Sequence, residues 1–444
     1  LGGEFINTDH ECMQTLAAEL GLNLVDVVTA QEDLIQDVFF FEGRRLSLEE
    51  IIQAFTPVAA QIDVDLESID SFENYTTPIP AAQRLDNLSI PEYLESIPTD
   101  PTLQKLIEVA YTIEYGLDAK EQSCLNLLYY IGTQLDEFKI FGESDERFYV
   151  EGGNDQIPRK LAQILANSIQ TGTILESIRN DRSGRYRVSL RSGGRSIERT
   201  YERIVLAVPF SVLRTIELDV ELPPVKRQAI NLIGYGTNSK IITSYNEKVW
   251  KTRYNSRANV FTDLGFQTSW ESSQSRFSPN TDGLVTNYTG GRQGLVIGTA
   301  TPEVHARRFI AQFERVFPGI SATRIPGQAV RAYWAGEQYS RGSYVCYRVG
   351  QWTQFYGSEG ERVGNLFFAG EHTSLEFQGF MEGACETGKR AAEEILTDIA
   401  GASQRIRVNS VPLRRDRFLP FDRQQRQQRR QRRLQQLQPL QPRR

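Results

Sequence analysis

The spacing of apolar residues changes along the chain, and each change marks a boundary between elements. Residues 366–369 (Leu-Phe-Phe-Ala) form a short apolar run between Gly364 and Gly370, which predicts a strand covered on both faces. Beyond a loop, Met381, Ala384, Gly388, Ala391, Ala392, Ile395 and Leu396 recur at helical spacing. Glu382, Glu386, Lys389, Arg390, Glu393 and Glu394 fill the opposite face, with Glu386 and Arg390 placed as an i,i+4 pair. Gly383, Ala384 and Gly388 keep the buried face thin near the helix start. That start presents unpaired N–H groups and a partial positive charge, suited to an anion or to a ring that becomes anionic. On spacing alone, a plain strand–loop–helix packing unit without a ligand is the commoner reading.

The same reasoning runs along the rest of the chain. Thr8 or Asp9 can cap a helix that ends at Leu20 before Gly21. Residues 38–41 and Leu46 around Glu42-Gly43 suggest a hairpin-like excursion. Ser47-Leu48-Glu49-Glu50 is a capping-box match opening a helix to about Gln61. Residues 63–101 are acidic and loop-rich, with one short helix near 91–96, and helices are expected over 102–115 and 117–134. A strand ends at Gly152-Gly153, and a helix follows over 155–166. Strands are expected at 173–178, 186–190, 195–200 and 203–209. Later strands fall at 239–245, 285–288, 295–300 and 330–334, with a helix over 302–316. Strands mixed with helices over this length imply a sheet with one covered face.

Composition narrows the classes without choosing among them. A chain of 444 residues can build two domains, and no apolar run is long enough to span a bilayer. No basic and apolar leader is visible at the start. Four scattered cysteines (Cys12, Cys124, Cys346, Cys385) without a CxxC point to free, mostly buried thiols and a reducing, cytoplasmic setting. Three dispersed histidines (His10, His305, His372) give little support to a metal site or a Ser–His–Asp triad. From Gln404 onward there are 13 Arg and two acids, so the whole-chain charge of −6 leaves −17 on residues 1–403. Such a Gln/Arg-rich tail, 401–444, is expected to stay disordered, with weak nucleic-acid binding or a merely solvated extension as its readings.

Phe368-Ala369-Gly370-Glu371-His372-Thr373, followed by Gly379-Phe380-Met381-Glu382-Gly383-Ala384, resembles the C-terminal flavin motif of the flavin-containing amine oxidases, the group of monoamine, polyamine and L-amino-acid oxidases. The resemblance runs over roughly residues 1–400. It implies an α/β fold in which a discontinuous, Rossmann-like FAD-binding domain (1–34, 147–215 and 362–400) is interleaved with a mixed substrate-binding domain (35–146 and 216–361). It also implies that Gly370 and Glu371 contact the cofactor, Glu371 at its ribityl–diphosphate part. Met381 and Glu382 face the pyrimidine edge, Gly2 and Gly3 lie against the ring, and Leu175 stands near adenine. Lys240 would hold a water beside the flavin, although a lysine in an alternating strand ordinarily points to solvent. Trp334 opens a stretch running along the ring. Ser343 stands where monoamine oxidases carry their flavin-linked cysteine, which implies non-covalent FAD. Tyr344 and Phe380 fall on the two aromatic positions that flank the substrate amine.

The activity implied is oxidative deamination of an amine, with oxygen as co-substrate and imine or aldehyde, ammonia and hydrogen peroxide as products. No carboxylate or imidazole stands out as a general base, in keeping with chemistry carried by the cofactor. The family's glycine-rich GxGxxG segment is missing from residues 1–444. Three other readings follow. An L-amino-acid oxidase would need an arginine to fork the substrate carboxylate; Phe5 stands at the expected place, leaving Arg44, Arg45 or Arg341. A desaturase-like flavoprotein would need neither Lys240 nor the aromatic pair. A truncated, inactive remnant or partner-binding module would follow from the missing segment and the basic tail.

Overall fold

A computed structural model describes residues 2–273 and 282–405; the Arg/Gln-rich tail beyond them lies outside the described residues. The chain leaves and re-enters its own sheets. Leu24–Asp26 pairs antiparallel with Phe148–Val150, and Ile204–Leu206 pairs parallel with Leu366–Phe368, Leu366 opposite Ile204. The apolar run at 366–369 is buried throughout, as its pattern predicts. Between these pairings the chain builds a seven-stranded sheet. Its order is Val330–Tyr333, Ser239–Tyr245, Gly283–Thr289, Thr268–Glu271, Val260–Thr262, Val38–Phe41 and Arg44–Arg45. All neighbours run antiparallel except Val38–Phe41 against Val260–Thr262. A separate four-stranded sheet, Arg195–Tyr201, Tyr186–Ser192, Thr173–Asn180 and Glu217–Asp219, stands on the side of Ile204–Leu206. The result is a mixed α/β architecture.

Two helices fix the sheet's covered face. Leu48–Ser68 begins at the capping box: Ser47 Oγ accepts from Glu50 N at 3.2 Å, and Glu50 Oε2 accepts from Ser47 N at 2.8 Å. It runs past the expected stop at Gln61, through Pro57, because Ile51, Phe55, Val58 and Ile62 continue one buried stripe. Pro101–Tyr115 carries Leu103, Leu106, Ile107 and Ala110 into the same core. Gly116 ends it in the left-handed conformation, φ 76°, where a side chain would be strained.

Several expectations fail for local reasons. The helix expected over 117–134 is broken, because Gly116 stops the chain and Ser123 restarts it as a cap for Cys124–Tyr130. The loop-rich stretch 63–101 holds two short helices, Pro80–Asp86 and Ile90–Glu95, the second with a capping box of its own. The strand expected at 295–300 is instead a helical turn, Gly291–Val296. There Gly290 and Gly294 let the backbone lie directly on Thr112 O and Thr237 O; a Cβ would sit 2.1 Å from each. The first helix, Glu11–Glu19, has His10 rather than Thr8 or Asp9 at its cap, since Thr8 is held by Asp145. In the terminal helix, Met381–Arg405, Arg390 pairs with Glu394 at 3.5 Å and donates to Phe368 O, while Glu386 turns to Ser374. The short strands Val260–Thr262 and Thr268–Glu271 were not foreseen. Among the described residues no helix is long and apolar enough to cross a membrane.

Candidate active site

Lys240 does not point to solvent. It is buried on Ser239–Tyr245, opposite Tyr288 on one neighbouring strand and Ala332 on the other. Its Nζ donates to Gly2 O at 3.1 Å and pairs with Glu4 Oε2 at 3.2 Å. The same Nζ lies over the rings of Trp270 and Tyr288, 5.2 and 5.6 Å from their centroids. Lys240 therefore fixes residues 2–4 against the sheet. From the other side Asn154 Nδ2 donates to Glu4 O at 2.9 Å and to Gly3 O at 3.2 Å. Gly3 is so close to the start of the terminal helix that a Cβ would sit 2.8 Å from Met381 Sδ. Gly2 and Gly3 thus share one locus with Lys240 and Met381, each more than two hundred residues further along the chain.

Glu371 organises the aromatic pair. Its carboxyl accepts from Gly379 N at 2.8 Å and from Val345 N at 3.2 Å. One half-buried carboxyl thereby anchors the residue after Tyr344 and the residue before Phe380. Burial pushes Glu371 up to about 7, against the lowering effect of those two N–H groups. Gly379 is left-handed, φ 84°, and the Tyr344 ring lies against it. Tyr344 Oη bonds to Tyr288 Oη at 3.0 Å and donates to Glu114 O. Phe380 is backed by His10, ring centroids 5.1 Å apart, and by Tyr130 at 6.5 Å. Burial holds His10 down to about 4, so the imidazole is neutral.

The remaining sequence candidates fall nearby or apart. Both Glu382 oxygens accept backbone N–H groups, from Cys12 and Met13 at 2.8 Å each, so this carboxyl caps the first helix. Gly370 leaves the strand at φ 121° and is tied through its N–H to Thr387 Oγ1 at 3.0 Å. Trp334 opens a single 3-10 turn, and its carbonyl accepts from Ser340 Oγ at 2.9 Å. Ser343 Oγ donates to Asn238 Oδ1 at 2.6 Å. Leu175 lines a partly open apolar cleft of about 350 Å³ with Leu190, Val205 and Val208. Arg44 and Arg45 lie on an exposed edge strand, and Arg341 is exposed with its Nε donating to Gln338 O at 3.4 Å.

Sequence reasoning missed a ring of acids. Glu146 is held at φ 45°, a conformation strained for a side chain, and its N–H donates to Asn7 Oδ1. Its carboxyl has accessible surface yet is enclosed by protein, and the loss of bulk water pushes it up to about 7. Arg257, Glu4, Asp37 and Lys240 are its charged neighbours. Burial first, then the Glu146 charge, pushes Glu114 up to about 8. Glu146 thus couples electrostatically to Glu114, Glu4 and Asp37, with Arg257 and Lys240 as the nearby cations and Tyr288 coupled to both Glu114 and Glu146. These acids come from three separate loops and the helix Pro101–Tyr115, and no motif links them.

The chain matches the family described as flavin containing amine oxidoreductase over residues 1–396. It is 24% identical over 419 residues to flavin-containing amine oxidase A of Sus scrofa, covering 91% of this chain and 77% of that one. A flavin-containing amine oxidase of Danio rerio is 25% identical over 324 residues, which span 71% of this chain and 60% of the relative. Among solved structures, cyclohexylamine oxidase from Brevibacterium oxydans superposes with a TM-score of 0.74 at 21% identity, over 90% of this chain and 88% of the other. A putrescine oxidase variant gives 0.73 at 18% identity, over 89% and 88%. A Rossmann-like flavoprotein fold is the class these superpositions define. The chain belongs to the flavin-containing amine oxidoreductase family, and the cofactor of that family is a flavin.

Proposed function

We propose that this protein oxidatively deaminates a small amine with FAD held non-covalently, using oxygen and releasing imine or aldehyde, ammonia and hydrogen peroxide. One observation carries the reading: residues 2–4, Lys240, Met381 and the Tyr344–Phe380 pair converge on a single locus. The residues present fit the flat end of the cofactor. Gly2 and Gly3 have no side chains to obstruct a ring, the Met381 helix start supplies N–H groups for its polar edge, and the Leu175 cleft suits adenine. Flavin, when bound, accepts the hydride. The chain's own residues orient the amine between Tyr344 and Phe380 and keep water out. The four acids favour a cationic amine on entry and oppose a substrate carboxylate, which supports an amine over an amino acid. Cytoplasmic residence belongs to the same reading, supported by four cysteines outside disulfides.

The test starts with the purified chain, incubated with FAD, gel-filtered and scanned for visible absorption. Retained flavin bands that acid precipitation releases into the supernatant are the expected result, followed by peroxide production in an amine screen. Flavin in the acid pellet would make the link covalent. Absent bands would favour the inactive remnant or partner-binding reading, since residues 1–444 contain no glycine-rich phosphate cradle.

The acids make a pH prediction. Below about 7 to 8 the Glu146 and Glu114 carboxyls are neutral and attract no cation; above it they ionise. kcat/KM should therefore rise through that range, and Glu146→Gln should flatten the lower part of the rise. An identical profile in the variant would leave the substrate's own deprotonation as the cause.

A further inference from the structure

Cys12 Sγ and Cys385 Sγ lie 2.6 Å apart, one on the first helix and one on the terminal helix. A further approach of about half an ångström reaches bonding length. The helices are already joined beside this point, where Glu382 receives the N–H groups of Cys12 and Met13. Both thiols are half-buried, within reach of a small oxidant, whereas Cys124 and Cys346 are fully buried. Cys124 Sγ is also engaged with Leu85 O at 3.0 Å. Cys385 stands one turn beyond Met381, the residue against Gly3. We propose that Cys12 and Cys385 form a redox-responsive pair that closes to a disulfide when hydrogen peroxide oxidises it.

The chemistry balances in two displacements. One thiolate attacks a peroxide oxygen, the O–O bond breaks, and a sulfenic acid and water form. The second thiol attacks that sulfur, the S–O bond breaks, and another water leaves. Two thiols lose two electrons and two protons, and one peroxide is reduced to two waters. The bond would clamp the first helix onto the terminal one and hold residues 2–4 against Met381. An oxidase that releases peroxide would then modify itself close to its own cofactor site. That last consequence rests on the proposed activity; the pair does not, because peroxide can be supplied.

The test treats the full chain with hydrogen peroxide, blocks remaining thiols with a maleimide, digests it and identifies the peptides by mass. A peptide linking Cys12 to Cys385, reversed by dithiothreitol, is expected, with Cys124 and Cys346 still reduced. Cys12→Ser should lose the linked peptide and leave a dimedone-reactive sulfenic acid on Cys385. Should that variant fold poorly, Cys385→Ala gives the reciprocal outcome. Both thiols remaining open to maleimide after peroxide, or oxidising separately without linkage, would overturn the proposal. A linked peptide in a chain that retains no flavin would support the pair while removing the proposed oxidase activity.

Discussion

Lys240→Met is expected to lower kcat/KM for the preferred amine by about 10²-fold, the scale of removing one preorganised polar group from a site that excludes water. The reason lies in what the Nζ holds. It bonds the Gly2 carbonyl and the Glu4 carboxylate, and it stands over Trp270 and Tyr288. Methionine fills a similar volume but leaves Glu4, one of the four acids, without its cation. Residues 2–4 would lose the tie that presses them against the sheet. Arginine should not restore the rate, because a planar fork on a buried strand cannot reproduce a point donor between two rings. Steady-state peroxide release measures the effect, and circular dichroism shows whether the fold is kept. An unchanged kcat/KM with an intact fold would remove Lys240 from the site and leave it as a structural clamp.

The second large effect falls on Glu371. Replacing it with alanine leaves Val345 N and Gly379 N without acceptors in the interior, at a cost of about 2 to 5 kcal/mol for two such groups. The loss does not stay local. Val345–Cys346 is only a two-residue strand against Gly234–Tyr235, so Glu371 adds to the bonds that Tyr344 makes with Tyr288, Glu114 and Gly236. Gly379 carries the turn into Phe380. Both aromatic positions should therefore loosen together, raising KM more than a single ring deletion would. Denaturant unfolding gives the stability change, and Glu371→Gln, which keeps one acceptor oxygen, should recover part of it. Equal stability of the alanine variant and the native protein would mean that water replaces the carboxyl without penalty.

The parts that sequence made legible share one property: their information is local. The capping box at Ser47, the covered strand at 366–368 and the thin start of the terminal helix each state their structure within a few residues. Lys240, Tyr344 and Phe380 could be singled out because they sit in, or at a set spacing from, recognisable stretches. Lys240 nevertheless looked like a surface lysine, because its burial depends on Tyr288 and residues 2–4 arriving from far along the chain. Glu114, Glu146 and Asp37 were illegible for the same reason. Each is an ordinary acid in its own segment and becomes unusual only when others face it. Glu382 adds a contact that its motif did not announce. The resemblance implied that the backbone there faces the cofactor, and the side chain gives both its oxygens to the first helix.

The meeting of the first helix with the terminal one has a consequence for biosynthesis. Gly3 touches Met381, Glu382 caps a helix that begins at Glu11, and Ile204–Leu206 waits for Leu366–Phe368 as its partner. A ribosome moving along the message makes one side of every such contact long before the other. Contacts of this separation close slowly and only after the intervening chain has been ordered. The nascent protein must therefore carry a half-made site, with the edge of Ile204–Leu206 uncovered, until residues 366–368 are made. Its need for chaperone shelter should be greatest before residues 366–396 emerge, and cofactor capture should be one of the last events in its maturation.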